Sequence, residues 1–295
     1  MKSLRREFVN IRKHKKVRES RIFFIVNYIL LTIITLCCLL PFMHVLSSAF
    51  STAGQQVDFW PKGFTWFNFK QVFSDKAYFR ALLVSVGVTV VGTVLSVLIM
   101  YMAAYALSKQ DFPFRKGLML FFIITMIFSG GIVPNYLVVN ALKMTRTPFA
   151  LVFPSVVQVY NFILMKSYLE SLPKEIEESA KVDGAGNLRI MFEILLPVSL
   201  PCIASVSLFT AVTFWNNYTN ALLYIGTEEK WYPLSLYILN HIQNSSDPLN
   251  WTEADKQKAN IESAMIVVSI IPILAVYPFV LKYFAKGVTV GSVKG

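Results

Sequence analysis

Charge is what this sequence has least of. Only 15% of its 295 residues are Asp, Glu, Lys or Arg, and the stretches 81–106, 117–139 and 198–223 hold none at all. Soluble domains carry about a quarter charged residues. With 55% hydrophobic residues and a mean hydropathy of +0.54, the chain has more apolar surface than an aqueous fold can hide. Lipid is its solvent.

Other absences narrow the chemistry. There is no GxxxxGK[ST] phosphate loop, so the chain is not expected to hydrolyse ATP itself. HExxH and GxSxG are also missing, and no pair of buried carboxylates offers an acid and a base. The expectation is therefore a non-enzyme. Cys37, Cys38 and Cys202 lie in apolar runs without metal or disulfide spacing, and read as packed thiols. His14, His44 and His241 are scattered, so neither metal nor bound cofactor is expected. Ion-coupled carriers place ionisable groups near the bilayer midplane, and these spans have almost none. A cleaved signal peptide is not expected either. The basic N-terminal stretch is long, and the apolar run after it exceeds an h-region.

What is present are six runs of membrane length, near 22–47, 81–106, 117–139, 149–168, 198–223 and 261–284. The predicted fold class is thus an all-α polytopic membrane protein with six transmembrane helices. If residues 1–21 are cytoplasmic, that side receives nineteen of the 28 Lys and Arg residues. The positive-inside rule then predicts both termini in the cytoplasm. The division is a basic N-terminus (1–21), a permeating domain (22–284) and a C-terminal tail (285–295). The net charge of +11 is a topology signal, and no nucleic-acid partner is expected because the cations flank spans. The run LRREFVNIRKHKKVRESR fits an amphipathic segment on anionic lipid or a plain anchor.

Outside the spans, residues 48–80 are dense in aromatics and fit an interfacial helix or a partner surface. The long loop 224–260 fits an external contact or a solvated connector. Inside the spans the polar residues are neutral: Thr89, Gln158, Asn161 and the run Trp215, Asn216, Asn217, Tyr218. Single amides are usually interhelical hydrogen bonds. The contiguous run is a candidate lining for the path of a neutral, hydroxyl-rich solute, with Asn161 as a further candidate.

The loop 167–197 departs from the basic pattern. From Glu177 it reads EESAKVDGAGNLRIMFEILLP. Pro173 suits a helix start, and Lys174 to Asp183 reads as a short helix. Gly184 and Gly186 allow a sharp turn or a close backbone approach. Leu188, Met191, Phe192 and Leu195 form an apolar stripe on a second helix, and Pro197 marks the start of span five. From Pro173 on, five acidic residues (Glu175, Glu177, Glu178, Asp183, Glu193) against three basic ones point to a protein partner, since membrane-lying loops favour cations.

Glu178-Ser179-Ala180, then Asp183-Gly184-Ala185, and Ile194 with Leu196-Pro197 resemble the EAA loop of bacterial ABC importer permeases. Ser179 stands in place of the pattern's first alanine. The stretch from Pro61 to Asn68, the FSGGIVPNYL run and the closing KGVTVGSVKG look like the maltose-type sugar permeases. The MalG-like group and its LplC/YtcP-like branch are the most similar. The resemblance implies an EAA coupling helix between spans four and five, with Glu178, Ser179, Ala180, Asp183, Gly184 and Ala185 meeting an ATPase. It further implies a second homologous permease, two ATP-binding subunits that use the ATP, and an extracytoplasmic solute-binding protein delivering a sugar, in a bacterial cytoplasmic membrane. The tail 286–295 would reach the ATPase pair, as in relatives. Two alternatives stand beside it: the same architecture carrying another solute, and a membrane scaffold without transport.

Overall fold

The computed structural model describes residues 21–52, 59–61, 63–243 and 252–291. Among these there are helices and turns but no strand. The main helices are α1 (Arg21–Phe50), α2 (Phe67–Ser74), α3 (Lys76–Ser108), α4 (Arg115–Ile127), α5 (Ile132–Ala141), α6 (Phe149–Val152), α7 (Val159–Ser171), α8 (Glu175–Val182), α9 (Leu200–Trp215), α10 (Tyr218–Tyr224), α11 (Leu234–Gln243) and α12 (Glu253–Gly291). Four helical runs are long and apolar enough to cross a membrane: Phe23–Phe50, Lys76–Ser108, Asn187–Trp215 and Ala254–Val276. Two bent pairs bring the number to six if each counts as one span.

The bends are the first departure from a count of straight spans. Span three is broken by 117° between α4 and α5, where Ser129-Gly130-Gly131 interrupts the apolar run. Pro134 then falls in the first turn of α5, where its missing donor costs nothing. Span four bends by 50° between Phe149–Ser155 and α7, just after Pro154.

Span five departs differently. Its helix starts at Asn187 and runs continuously to Trp215, so Pro197 lies well inside it and does not open it. Proline removes a donor and its ring collides with the carbonyl four residues back. The helix answers by widening into a π-helical stretch at Ile190–Leu195, and the Leu196 amide bonds to Met191 O, five residues back.

The helices assemble around α3. Ser85, Val88, Gly92, Ser96 and Met100 recur on its buried face, a helical spacing of mostly small residues. In lipid, helices associate through close packing and interhelical hydrogen bonds instead of hydrophobic expulsion. Gly92 provides the closest approach: a Cβ there would lie 2.8 Å from the Phe214 ring of α9. Ser85 Oγ accepts the buried Leu234 amide of α11 at 2.7 Å. Buried side chains cluster at three levels along α3, around Tyr101 and Ala104, around Val88 and Phe214, and around Tyr78 and Ala81. The loop 224–260 is thus partly built into the body, since Leu234 and Leu236 of α11 are buried.

A polar knot closes the end of the bundle where α1 ends and α12 begins. Asn68 is fully buried. Its Nδ2 donates to Ala49 O and Ser51 O, both at 2.9 Å, and its Oδ1 accepts from Gln257 at 2.7 Å. Asn260 donates to Ser51 O and Thr52 O, each at 3.2 Å. These amides satisfy carbonyls left over at the α1 C-terminus. Asp75 caps α3 through the Ala77 amide at 2.8 Å, and accepts the Tyr237 hydroxyl of α11 at 2.6 Å. Burial, then the bond to Asp75, raises the Tyr237 phenol above its ordinary range, which keeps it a donor.

In α1, residues 23–42 are exposed around the whole helix. Cys37 and Cys38 are therefore exposed, not packed, while Cys202 is half-buried. The helix α12 stays helical through Gly291, so residues 285–291 extend span six. Residues 1–20, with the basic run up to Glu19, and 292–295 lie outside the described residues.

Replacing Asn68 with Leu keeps the branching but removes three hydrogen bonds and leaves Ala49 O and Gln257 Nε2 without this partner. We expect a loss of about 3 kcal/mol and a clear fall in melting temperature in detergent; an unchanged melting curve would show that the knot does not hold the helix ends.

Candidate functional site

The residues between α7 and span five form a short helix and a capped turn. α8 begins after Pro173, with Glu175, Glu177 and Glu178 in its first turn and Lys181 in its last. Both placements complement the helix dipole. It ends at Asp183, with Gly184 in the left-handed region at φ 79°. The Gly184 amide bonds to Lys181 O at 3.0 Å and the Ala185 amide to Ala180 O at 2.9 Å, the paired bonds of a Schellman turn. A Cβ on Gly184 would meet nothing within 4 Å, so the turn needs glycine for its dihedral and leaves the space beside it open.

The helix has two faces. Inward, Ala180 is buried in a cluster that includes Tyr101, Ala104, Tyr105, Met165 and Leu169, with Ile176 and Ala185 packed against that cluster. Outward lie Glu178, Ser179, Asp183 and Gly184. Ser179 Oγ donates back to Ile176 O at 3.2 Å. Glu175, Glu178 and Asp183 carry no ion pair among the described residues. Val182 and Leu188 flank the glycine turn at 88% and 69% exposure, an apolar rim beside acidic groups.

Two of the five acidic residues are paired, one turned inward and one exposed. Glu177 pairs with Lys109 at the end of α3, and Glu193 with Arg189 at 2.8 Å. The apolar stripe also divides. Met191 and Leu195 are buried, whereas Leu188 is exposed and Phe192 partly so, because the wider π turn shifts the phase of the face. Between α8 and the segment after α3 opens a cleft of about 660 Å³, lined by Lys109, Asp111, Glu170, Lys174, Glu178 and Lys181 among others.

The run Trp215 to Tyr218 sits at a helix break, not within one span. Trp215 ends α9, Asn216 is its C-cap and Asn217 is the N-cap of α10. Asn217 Oδ1 accepts the Asn220 amide at 3.2 Å, and the side-chain amides of Asn217 and Asn220 reach Ser155 Oγ at 3.4 and 3.0 Å. Asn216 bonds back to Val212 O at 3.0 Å. These amides cap and tether. Tyr218 is half exposed. Trp215 lines an apolar cavity of about 440 Å³ with Val86, Thr89, Leu208, Val212 and Pro272. Asn161 is elsewhere: buried, it donates to Gln158 Oε1 at 2.7 Å and to Thr210 Oγ1 at 3.2 Å, joining α7 to α9.

No group of three or more His, Cys, Asp or Glu side chains suited to a metal occurs among the described residues. What the architecture defines is a polytopic membrane protein with one amphipathic, capped helix projecting acidic groups from a charged end of its bundle. Residues 97–290 match the family of inner membrane components of binding-protein-dependent transport systems, and the chain belongs to that family. It is 39% identical over 286 residues to the polygalacturonan/rhamnogalacturonan transport system permease protein YtcP of Bacillus subtilis, covering 94% of this chain and 100% of that one. Protein LplC of the same organism is 38% identical, covering 94% and 97%. Among solved structures, a bacterial ABC transporter that imports the acidic polysaccharide alginate aligns with a TM-score of 0.81 at 31% identity, covering 90% of this chain and 98% of that one.

The two halves of the 215–218 run should separate by experiment. Asn217→Ala removes a cap and lowers stability by about 1 kcal/mol. Trp215→Ala should instead cut solute uptake per assembled transporter, by more than the stability lost with its packing on the cluster around Tyr78 accounts for. Uptake at the wild-type level in the double variant would remove both residues from the solute path.

Proposed function

We propose that this chain is one of two permease subunits of an ATP-driven oligosaccharide importer in a bacterial cytoplasmic membrane. A second, homologous permease completes the path. Two ATP-binding subunits drive it from the cytoplasm, and an extracytoplasmic solute-binding protein delivers the sugar. The observation that carries the reading is the near-full-length likeness to carbohydrate permeases, in a chain whose one outward acidic helix ends in an open glycine turn.

On this reading both termini and α8 are cytoplasmic, and the outward face of Glu178, Ser179, Asp183 and Gly184 seats in the ATPase. Ala180 and Ala185 hold the helix on the bundle from behind. Closure of the ATPases on ATP favours one arrangement of the helices because contacts at α8 differ between the two states. The energy source lies in another chain, which is why no phosphate loop is needed here. The sugar class follows the relatives, whose names include polygalacturonan/rhamnogalacturonan, arabinooligosaccharides and maltodextrin. The cavity beside Trp215 is lined by apolar side chains and Thr89 and by no cation, so charge selection falls to the other permease or the binding protein.

Gly184→Asp tests the docking face. Asp tolerates a left-handed dihedral better than most residues, at about 1 kcal/mol, and its Cβ has room. Insertion and thermal stability should therefore hold, while sugar-stimulated ATP hydrolysis and uptake fall roughly tenfold or more, an interface loss of about 1.4 kcal/mol. Normal stimulated hydrolysis in this variant would sink the assignment of α8 to the ATPase.

A further inference from the structure

Two routes lead from α8 into the bundle. The covalent one passes through the Gly184–Gly186 turn and the π-helical stretch into span five. Its glycine turn has no neighbour at the Cβ position, and the π turn adds slack to the hydrogen-bond ladder. A displacement entering at α8 would bend this route before it moved α9.

The second route is non-covalent and leads to α3. Glu177 pairs with Lys109, the C-cap residue of α3, with side chains only 21% and 27% exposed. Lys109 Nζ also lies 4.1 Å from the centre of the Tyr105 ring, so its position is fixed from two sides. Ala180 belongs to the same buried cluster as Tyr101, Ala104 and Tyr105. The Tyr101 hydroxyl donates to Met191 O at 2.8 Å, so even the π stretch is tied back to α3. Nearby, Arg115 bonds to Leu107 O at 2.9 Å and pairs with Glu170, which Lys166 also holds at 2.8 Å. By contrast, the Arg189–Glu193 pair in the covalent route is two-thirds exposed and contributes little.

We propose that Lys109 and Glu177 are the positioning pair that makes α8 move as one body with α3, so that force arriving at the inner loop enters the bundle through α3. This rests on the reading of α8 as the ATPase contact. The pair touches neither sugar nor nucleotide. It acts by keeping α8 in register with the helix around which the others pack.

The test uses the full transporter, purified through a tag on this chain and reconstituted with its binding protein and sugar. Lys109→Glu and Glu177→Lys are made singly and together, with Lys109→Arg as the conservative variant and Arg189→Glu as the exposed control. Three quantities are read: ATPase subunits retained per permease, ATP hydrolysed, and sugar taken up. Each single reversal should retain the ATPase subunits but raise ATP hydrolysed per sugar roughly fivefold or more, the size of a modest coupling term. The double reversal and Lys109→Arg should return the ratio to within about twofold, and Arg189→Glu should leave it unchanged. A wild-type ratio in the single reversals overturns the proposal. So does failure of both the double reversal and Lys109→Arg to restore it, or a change as large from Arg189→Glu. If the wild-type chain purifies without ATPase subunits, the functional reading itself has failed, an outcome separate from any behaviour of the variants.

Discussion

The contact that sets the geometry of this bundle is the seating of Phe214 on Gly92. An aromatic ring on one helix fits a missing side chain on another, and that fit determines how near α9 can come to α3. In lipid, where burial of apolar surface gains little, such closeness is what dispersion has to work with. The short side chains of Ser85 and Ser96 extend the same opportunity along α3. Residues of α7, α9 and α11 join its buried clusters in turn. A residue of any size at Gly92 would push α9 outward and loosen the cluster that includes Val88, Leu151 and Ile225.

The two ends of α3 are secured by different chemistry. At one end amides and hydroxyls do the joining: Asn68 and Asn260 both donate to Ser51 O, Tyr78 donates to Met265 O, and Tyr237 donates to Asp75. At the other end the joins are ion pairs, Lys109 with Glu177 and Arg115 with Glu170. Buried neutral bonds have short range and demanding geometry, so that end is fixed in shape. Charge pairs tolerate small shifts and respond to charges brought nearby. The end that carries α8 is therefore the one whose joints can be influenced from outside.

Much of this was legible in the sequence, and the failures have physical causes. Apolar runs of membrane length located the four long helices and the two bent pairs, since lipid imposes a length on any crossing helix. The α8 helix followed from Pro173, its acidic first turn and the glycines after it. Periodicity missed the π stretch because the cause, Pro197, acts on the turn before it. The same widening misplaced Leu188, which a 3.6-residue period puts beside Met191. The Trp215–Tyr218 run looked like part of one apolar span, because Asn217 as an N-cap shows only when the amide it accepts, that of Asn220, is in view. Glu177 was counted with the outward acids since its partner Lys109 lies 68 residues away, beyond any local pattern. Family likeness supplied what no local rule contains, the relation of this chain to transport.

The exposure of α1 has a consequence for how the protein is made. Its first twenty or so residues are all exposed, and they are apolar enough to rest in a bilayer unaided. A helix of that kind can leave the ribosome's exit path and settle before any of its siblings exist. The later segments, with Asn161, Asn68 and Asp75, carry polar groups that find their partners only across helices. Synthesis thus delivers the self-sufficient element ahead of the mutually dependent ones, and the polar groups of Asn68, Asp75, Tyr78 and Ser85 wait for partners at 234–265 that are translated much later.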